Sequence, residues 1–231
     1  MKLSVQQLAR MMDLSAVRTD VQIEEIRQLA AVCKQYGCIC AFVMPCYAAE
    51  LKALLADAPD TALGGVVGFP SGAQSTASKV ADVHEHLALG ARELDMVINV
   101  GMLKSGRLPF VENDIRAVVQ AAEGTPVKVI LEAHYLTDEE IVRGSQLVVQ
   151  AGAAFVKTGT GWAPTGATLH NVALIKSTVG NKAQVKAAGG VRDLATVVDM
   201  IRLGVTRFGV SCSSGRAILE ACAALPDGVE I

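Results

Sequence analysis

Ala154-Phe155-Val156-Lys157-Thr158-Gly159-Thr160-Gly161 sets a short apolar run, closed by a lysine, directly against a glycine-rich turn. The next segment, Gln184-Val185-Lys186-Ala187-Ala188-Gly189-Gly190, again carries a lysine ahead of a glycine turn, and Arg207-Phe208-Gly209-Val210-Ser211 follows with a glycine but no lysine. Working outward, further apolar runs stand at Met11–Leu14, Cys38–Val43, Gly65–Phe69, Glu93–Asn99 and Val127–Glu132. With Ala154–Lys157, Gln184–Ala187 and Arg207–Val210 they make eight candidate strands, spaced at about the 30 residues of one βα unit. Their near-continuous apolar character suits parallel strands covered on both faces.

Helical patterns fill the intervals. Ile23, Ile26, Ala30 and Cys33 share one helical face, and Val197, Val198 and Ile201 form another stripe. Thr137-Asp138-Glu139-Glu140 reads as a capping box that opens a helix carrying Ile141, Leu147 and Val148. Eight strands in strict alternation with eight helices predict an α/β fold, a (βα)₈ TIM barrel, as a single domain over residues 1–231. The alternative, an open doubly wound sheet, normally carries its phosphate-binding glycines after the first strand. Here the glycine turns follow the sixth, seventh and eighth strands, where barrels place a phosphate site.

The 231 residues are 51% hydrophobic and 19% charged, with a net charge of −2. One barrel of about 250 residues suits this length, and its core needs no disulfide or metal staple. The balanced charge offers no basic field for nucleic acid or membrane, and 4% aromatic residues argue against a base-stacking surface. No secretory layout opens the sequence and no apolar run reaches membrane-spanning length, which predicts a cytoplasmic protein. Cys33, Cys38, Cys40, Cys46, Cys212 and Cys222 form no paired Cys-x-x-Cys ligand set, and the four histidines are scattered, so reduced cysteines and no metal site are expected.

Working residues of such barrels sit at the carboxyl ends of the strands. Those ends carry Asp13 and Ser15, Asp95 and Asn99, Lys128 and Glu132, Lys157, and Lys186. A lysine within an apolar strand is costly to bury unless it is paired or loses its proton. A buried salt bridge explains one such lysine. Two on adjacent strands lower each other's pKa and favour a neutral, nucleophilic amine. Spacing alone leaves both an amine nucleophile and a structural ion-pair network open. The turns at Gly159 and Gly161, Gly189-Gly190, and Gly209 with Ser211 bring backbone donors close to an anion, and Arg192 and Ser213 supplement them.

Several motifs together resemble the deoxyribose-phosphate aldolase family: Glu93-Leu94-Asp95-Met96-Val97-Ile98-Asn99, Lys128-Val129-Ile130-Leu131-Glu132, Phe155-Val156-Lys157-Thr158 and Lys186-Ala187-Ala188-Gly189-Gly190-Val191-Arg192. Phe69-Pro70, Leu103-Lys104-Ser105-Gly106 and Arg207-Phe208-Gly209-Val210-Ser211 extend the resemblance from about Asp13 to Leu219. It implies an aldehyde-lyase of deoxyribonucleotide catabolism, without metal or cofactor, that cleaves 2-deoxyribose 5-phosphate to glyceraldehyde 3-phosphate and acetaldehyde. It further implies Lys157 as the Schiff-base lysine, Lys186 as the lysine that depresses its pKa, and Asp95 as the proton-transfer carboxylate. Asp13 and the Ser15 hydroxyl would stand near the relay. Gly161, Gly189, Gly190, Arg192, Gly209 and Ser211 would surround the phosphate. The implied partner is a small phosphosugar, and a homo-oligomer is compatible with this reading.

The chain departs from the family pattern at Phe42, Met44, Ala133, His134, Gly159 and Trp162, and its tail, Pro226 to Ile231, lacks a terminal tyrosine. These changes crowd the expected substrate region while leaving the two lysines and Asp95 in place. Two further readings stand beside the first. One is a sister Schiff-base aldolase for another phosphorylated sugar, its acceptor pocket reshaped by Phe42, His134 and Trp162. The other is a non-catalytic phosphosugar-binding barrel.

Overall fold

A computed structural model describes residues 2–231. Eight parallel strands close into a barrel in chain order: β1 (Met12–Ala16), β2 (Cys40–Val43), β3 (Ala62–Val67), β4 (Glu93–Val97), β5 (Val127–Ile130), β6 (Phe155–Lys157), β7 (Gln184–Ala188) and β8 (Arg207–Ser211). Pairing of β8 with β1 completes the ring, and the expected TIM barrel is borne out. The two-residue period of a strand sends alternate side chains outward and inward. Leu14, Ala41, Leu63, Leu94, Met96, Val129, Val156, Val185 and Phe208 face outward and belong to the buried apolar layer beneath the helices. Inward, Asp13, Asp95, Lys128, Lys157, Lys186 and Arg207 are all buried. A barrel interior is ordinarily filled by branched apolar residues. Here only one side is apolar, a small cluster of Cys40, Phe42, Ala62 and Val66 on β2 and β3.

Several elements differ from the sequence reading. β3 runs over Ala62–Val67 rather than Gly65–Phe69. Gly64, outside the expected strand, and Gly65, its expected first residue, both lie within β3, where neighbours fill the place of a side chain. A Cβ on Gly64 would lie 2.4 Å from the Phe42 ring, and one on Gly65 would lie 2.5 Å from His86. β4 stops at Val97, and Asn99 instead caps the helix Val100–Lys104, its Oδ1 accepting from the Met102 amide at 3.0 Å. That helix and Val5–Ala9, ahead of β1, bring the described residues to ten α-helices, so the alternation is not strictly eightfold.

The predicted helical faces hold with one exception. Ile26, Ala30 and Cys33 are buried in helix Ile23–Tyr36, whereas Ile23, its first residue, is exposed. The capping box at Thr137 and Glu140 opens helix Asp138–Gln150 as read. Val197 and Val198 are buried, with Ile201 half-buried beside them. A two-stranded antiparallel ribbon of Lys2–Leu3 with Val229–Glu230 joins the two terminal segments, so the tail lies away from the barrel mouth. All six cysteines are free.

One buried ion pair fixes the end of β4. Lys79, on helix Thr76–Ala88, donates to Asp114 Oδ2 at 2.6 Å and to the Val97 carbonyl at 3.0 Å. Thr76 Oγ1 donates to the other Asp114 oxygen at 2.7 Å, and both charged side chains are shut away from solvent. The Val97 carbonyl lies two residues beyond Asp95, so this pair also sets the height of that carboxylate in the barrel. Removing one partner of a buried pair strands the other charge, at a cost of about 3–5 kcal/mol. Lys79→Met should lose about that much stability in denaturant unfolding, and Lys79→Met with Asp114→Leu should recover most of it. A single variant as stable as the double would contradict this role.

Candidate active site

The carboxyl ends of the strands open on a cavity of about 320 Å³. Asp13, Ser15, Asp95, Lys157, Lys186, Gly161, Gly189, Gly190, Arg192, Gly209 and Ser211 all line it, so the fold brings these predicted residues to one place. Neighbouring strands do this by register. Lys157 pairs with Lys186, Lys186 with Arg207, and Asp95 with Lys128.

At the floor these side chains form a single network. Asp95 Oδ2 accepts from Lys157 at 2.7 Å and from Lys186 at 2.6 Å, while Oδ1 accepts from Lys128 at 3.2 Å. Lys186 also lies 2.6 Å from Asp13 Oδ2. Lys128 donates to Glu93 at 2.6 Å, and Arg207 bridges Asp13 and Glu93 at 2.7 Å to each. Two aromatic faces cover the cations. Phe42 lies 4.4 Å from the Lys186 nitrogen and 4.8 Å from that of Lys128, and Phe155 faces Lys128 and Arg207.

Four cationic side chains therefore share three carboxylates, and the set reaches neutrality when one amine gives up its proton. That amine is Lys157. Burial pushes its pKa down to about 8, aided by the ammoniums of Lys186 and Lys128 and opposed by Asp95. Burial, rather than the neighbouring lysine expected from sequence, is the larger cause. Asp95 behaves oppositely. Burial alone would raise its pKa, but Lys128, Lys157 and Lys186 hold it well below the usual carboxylate range. Asp13 is likewise lowered by Lys128, Lys186 and Arg207 against its burial. Asp13 and Asp95 overcome burial to push Lys128 upward, so it stays charged.

Sequence reasoning passed over Glu93 and Arg207 and gave Lys128 no role, because their importance comes from cross-strand register. It also missed what holds the mouth. Glu132, buried just past β5, adopts left-handed backbone (φ 54°) uncommon for a side-chain-bearing residue. Its carboxylate accepts from the Thr160 amide at 3.1 Å and from the Thr160 hydroxyl. The Trp162 amide then donates to Thr160 Oγ1 at 3.0 Å, and its indole N–H donates to the Val17 carbonyl at 2.9 Å. This chain of bonds fixes the turn after β6 and ties it to the segment after β1. Trp162 also meets Phe69 edge-to-face at 6.2 Å, so it closes one end of the pocket instead of packing beneath the loop.

The Ser15 hydroxyl lines the cavity with Asp13 and Asp95 and donates to the Val210 carbonyl at 3.1 Å. Other expectations need correction. His134 bonds to Thr165 and does not line the cavity, nor do Ala133, Met44 or Ser213. Gly159 also lies off the cavity, where a Cβ would stand 3.0 Å from Glu132. No metal-ligand cluster was expected, yet Asp13, Cys40 and Glu93 place ligand atoms within 4.8 Å of one another. They are poor metal ligands in this setting. Arg207 and Lys128 engage both carboxylates, and burial pushes the Cys40 thiol far up.

The profile of the DeoC/LacD family aldolases matches residues 6–221. The chain belongs to that family. It is 46% identical to the deoxyribose-phosphate aldolase of Rhizobium meliloti (strain 1021), over 98% of this chain and 91% of the relative. With the deoxyribose-phosphate aldolase of Klebsiella pneumoniae it shares 45% identity over 88% of this chain and 82% of the relative. The tetrameric deoxyribose phosphate aldolase from Aeropyrum pernix superposes with a TM-score of 0.86 at 29% identity, over 94% of this chain and 92% of that one. No helix among the described residues is long and apolar enough to cross a membrane.

Proposed function

We propose that the chain cleaves 2-deoxyribose 5-phosphate to glyceraldehyde 3-phosphate and acetaldehyde, reversibly, through an imine on Lys157. The observation that carries this reading is the single excess cation in the buried network, together with a Lys157 amine brought down to a pKa of about 8, so that a reactive neutral fraction is present close to physiological pH. That amine adds to the C1 aldehyde, and loss of water gives an iminium. The C3 hydroxyl then gives up its proton as the C2–C3 bond breaks, and the electron pair passes into the iminium to form an enamine. Protonation at C2 and hydrolysis return the lysine and release acetaldehyde.

Asp95 accepts hydrogen bonds from both amines through one oxygen, which makes it the shortest proton path between Lys157 and Lys186. Such proton transfer is worth about 10²–10⁴ in rate. Asp13 holds Lys186 and Arg207 in place. The reaction needs no metal or cofactor, because the iminium is itself the electron sink. In this reading residues 1–231 act as one catalytic domain in the cytoplasm, in deoxyribonucleotide catabolism, as a homo-oligomer. The sister aldolase and the binding barrel are less well supported. His134 stands off the cavity, and a binding module has no use for a depressed amine.

The phosphate would lie at the mouth over β6, β7 and β8. Gly161, Gly189 and Gly190 take φ of 87°, 83° and 91°, conformations suited to glycine. Ser211 caps helix Cys212–Ala223, whose amino end faces the same cavity, and Arg192 stands beside it. Backbone N–H groups, a helix amino end and a guanidinium together favour a dianion.

Two outcomes follow. Borohydride reduction in the presence of acetaldehyde should label the peptide containing Lys157. Label on Lys186 instead, or no label at all, would contradict the assignment. Phosphorylated deoxyribose should exceed the free sugar in kcat/KM by a large factor, and Ser211→Glu should shrink that ratio through charge repulsion. Equal wild-type values would remove the phosphate site.

A further inference from the structure

The barrel interior is divided, and the division has a chemical meaning. β4 to β8 and β1 contribute the charged network and the glycine turns. β2 and β3 contribute an apolar wall of Phe42 and Val66 facing the cavity, with Cys40 and Ala62 behind and Phe69 at the rim. The Phe42 ring stands 4.4 Å from the Lys186 amine, which meets Lys157 at one Asp95 oxygen. Phe42 is itself buried, 3% exposed, and lines the same cavity as Lys157.

The ring cannot retreat. Phe42 pairs in register with Gly64, and even a single carbon added to Gly64 would lie 2.4 Å from the ring. The β3 side is thus already filled, and the Lys128 and Lys186 amines stand 4.8 and 4.4 Å from the ring centroid. A carbonyl carbon bound to Lys157 has two directions in which to extend. One runs toward the anion-binding turns of β6 to β8, and the other runs into this fixed wall.

We infer that Phe42 is a specificity-determining residue that limits the donor carbonyl on Lys157 to a two-carbon aldehyde. The inference rests on the Schiff-base reading above and deepens it. The enamine carbon of acetaldehyde bears only hydrogens, and these fit against the ring. The extra methyl of propanal, or the second methyl of acetone, would have to occupy space the ring already holds. Methyl-sized discrimination of this kind typically amounts to about 10–200-fold in kcat/KM.

A purely structural role for Phe42, as cover for two ammoniums, would depress all donors alike when the ring is removed. A size filter changes their ratio. The test is kcat/KM for addition of acetaldehyde and of propanal to glyceraldehyde 3-phosphate, in wild type, Phe42→Leu and Phe42→Ala. The propanal-to-acetaldehyde ratio should rise by about 10-fold or more in Phe42→Ala and by a smaller factor in Phe42→Leu. An unchanged ratio in the variants, or in Phe42→Leu alone should Phe42→Ala not fold, overturns the filter. A wild type that does not use acetaldehyde at all overturns the Schiff-base reading together with the filter. An active wild type with unchanged variant ratios overturns the filter only.

Discussion

Four cations held by three carboxylates inside a closed barrel is the constraint from which the rest of the structure follows. Charges removed from water are costly unless paired at good geometry, and a buried network adds little to stability even when it is complete. The stability must come from elsewhere, and it does: the outward faces of all eight strands pack into one continuous apolar layer beneath the helices. The interior is thereby released from its usual task of filling space. Strict cross-strand register, Lys157 beside Lys186 and Asp95 beside Lys128, then brings the charges close enough to regulate one another.

Within that network the roles separate by environment. Lys128 and Arg207 are each matched by two or more carboxylates and stay charged. Among the described residues Lys157 pairs with Asp95 alone and faces the cavity, and burial disfavours its charged form. One carboxylate contacting two amines thus yields a nucleophile and its proton path together. The mouth is organised separately, by hydrogen bonds running from the Glu132 carboxylate through Thr160 to Trp162 and Val17.

What the sequence made legible was periodic or punctuated. Alternating apolar runs and glycine turns located all eight strands, seven of them closely, and lysines inside apolar runs marked the site. β3 was set three residues late, leaving out Ala62, Leu63 and Gly64, and what calls for a glycine at Gly64 is the Phe42 ring packed against it. Such a cause is tertiary and leaves no local pattern. Glu93 and Arg207 escaped for the same reason, since each has meaning only beside a strand distant in sequence. His134 erred the other way: a departure from the family pattern drew attention to a residue that the fold directs to Thr165.

The central claim is that the buried charge imbalance is discharged at Lys157. It is tested most directly by following the ¹³Cε shift of Lys157 with pH in lysine-labelled protein, in wild type and in Lys186→Leu. Removing Lys186 deletes a like charge and leaves Asp95 with fewer ammoniums, and both changes strengthen the hold on the Lys157 proton. The account predicts a wild-type midpoint near 8 that moves upward in the variant. A Lys157 that titrates near the ordinary lysine value of about 10.4 in both proteins would contradict it.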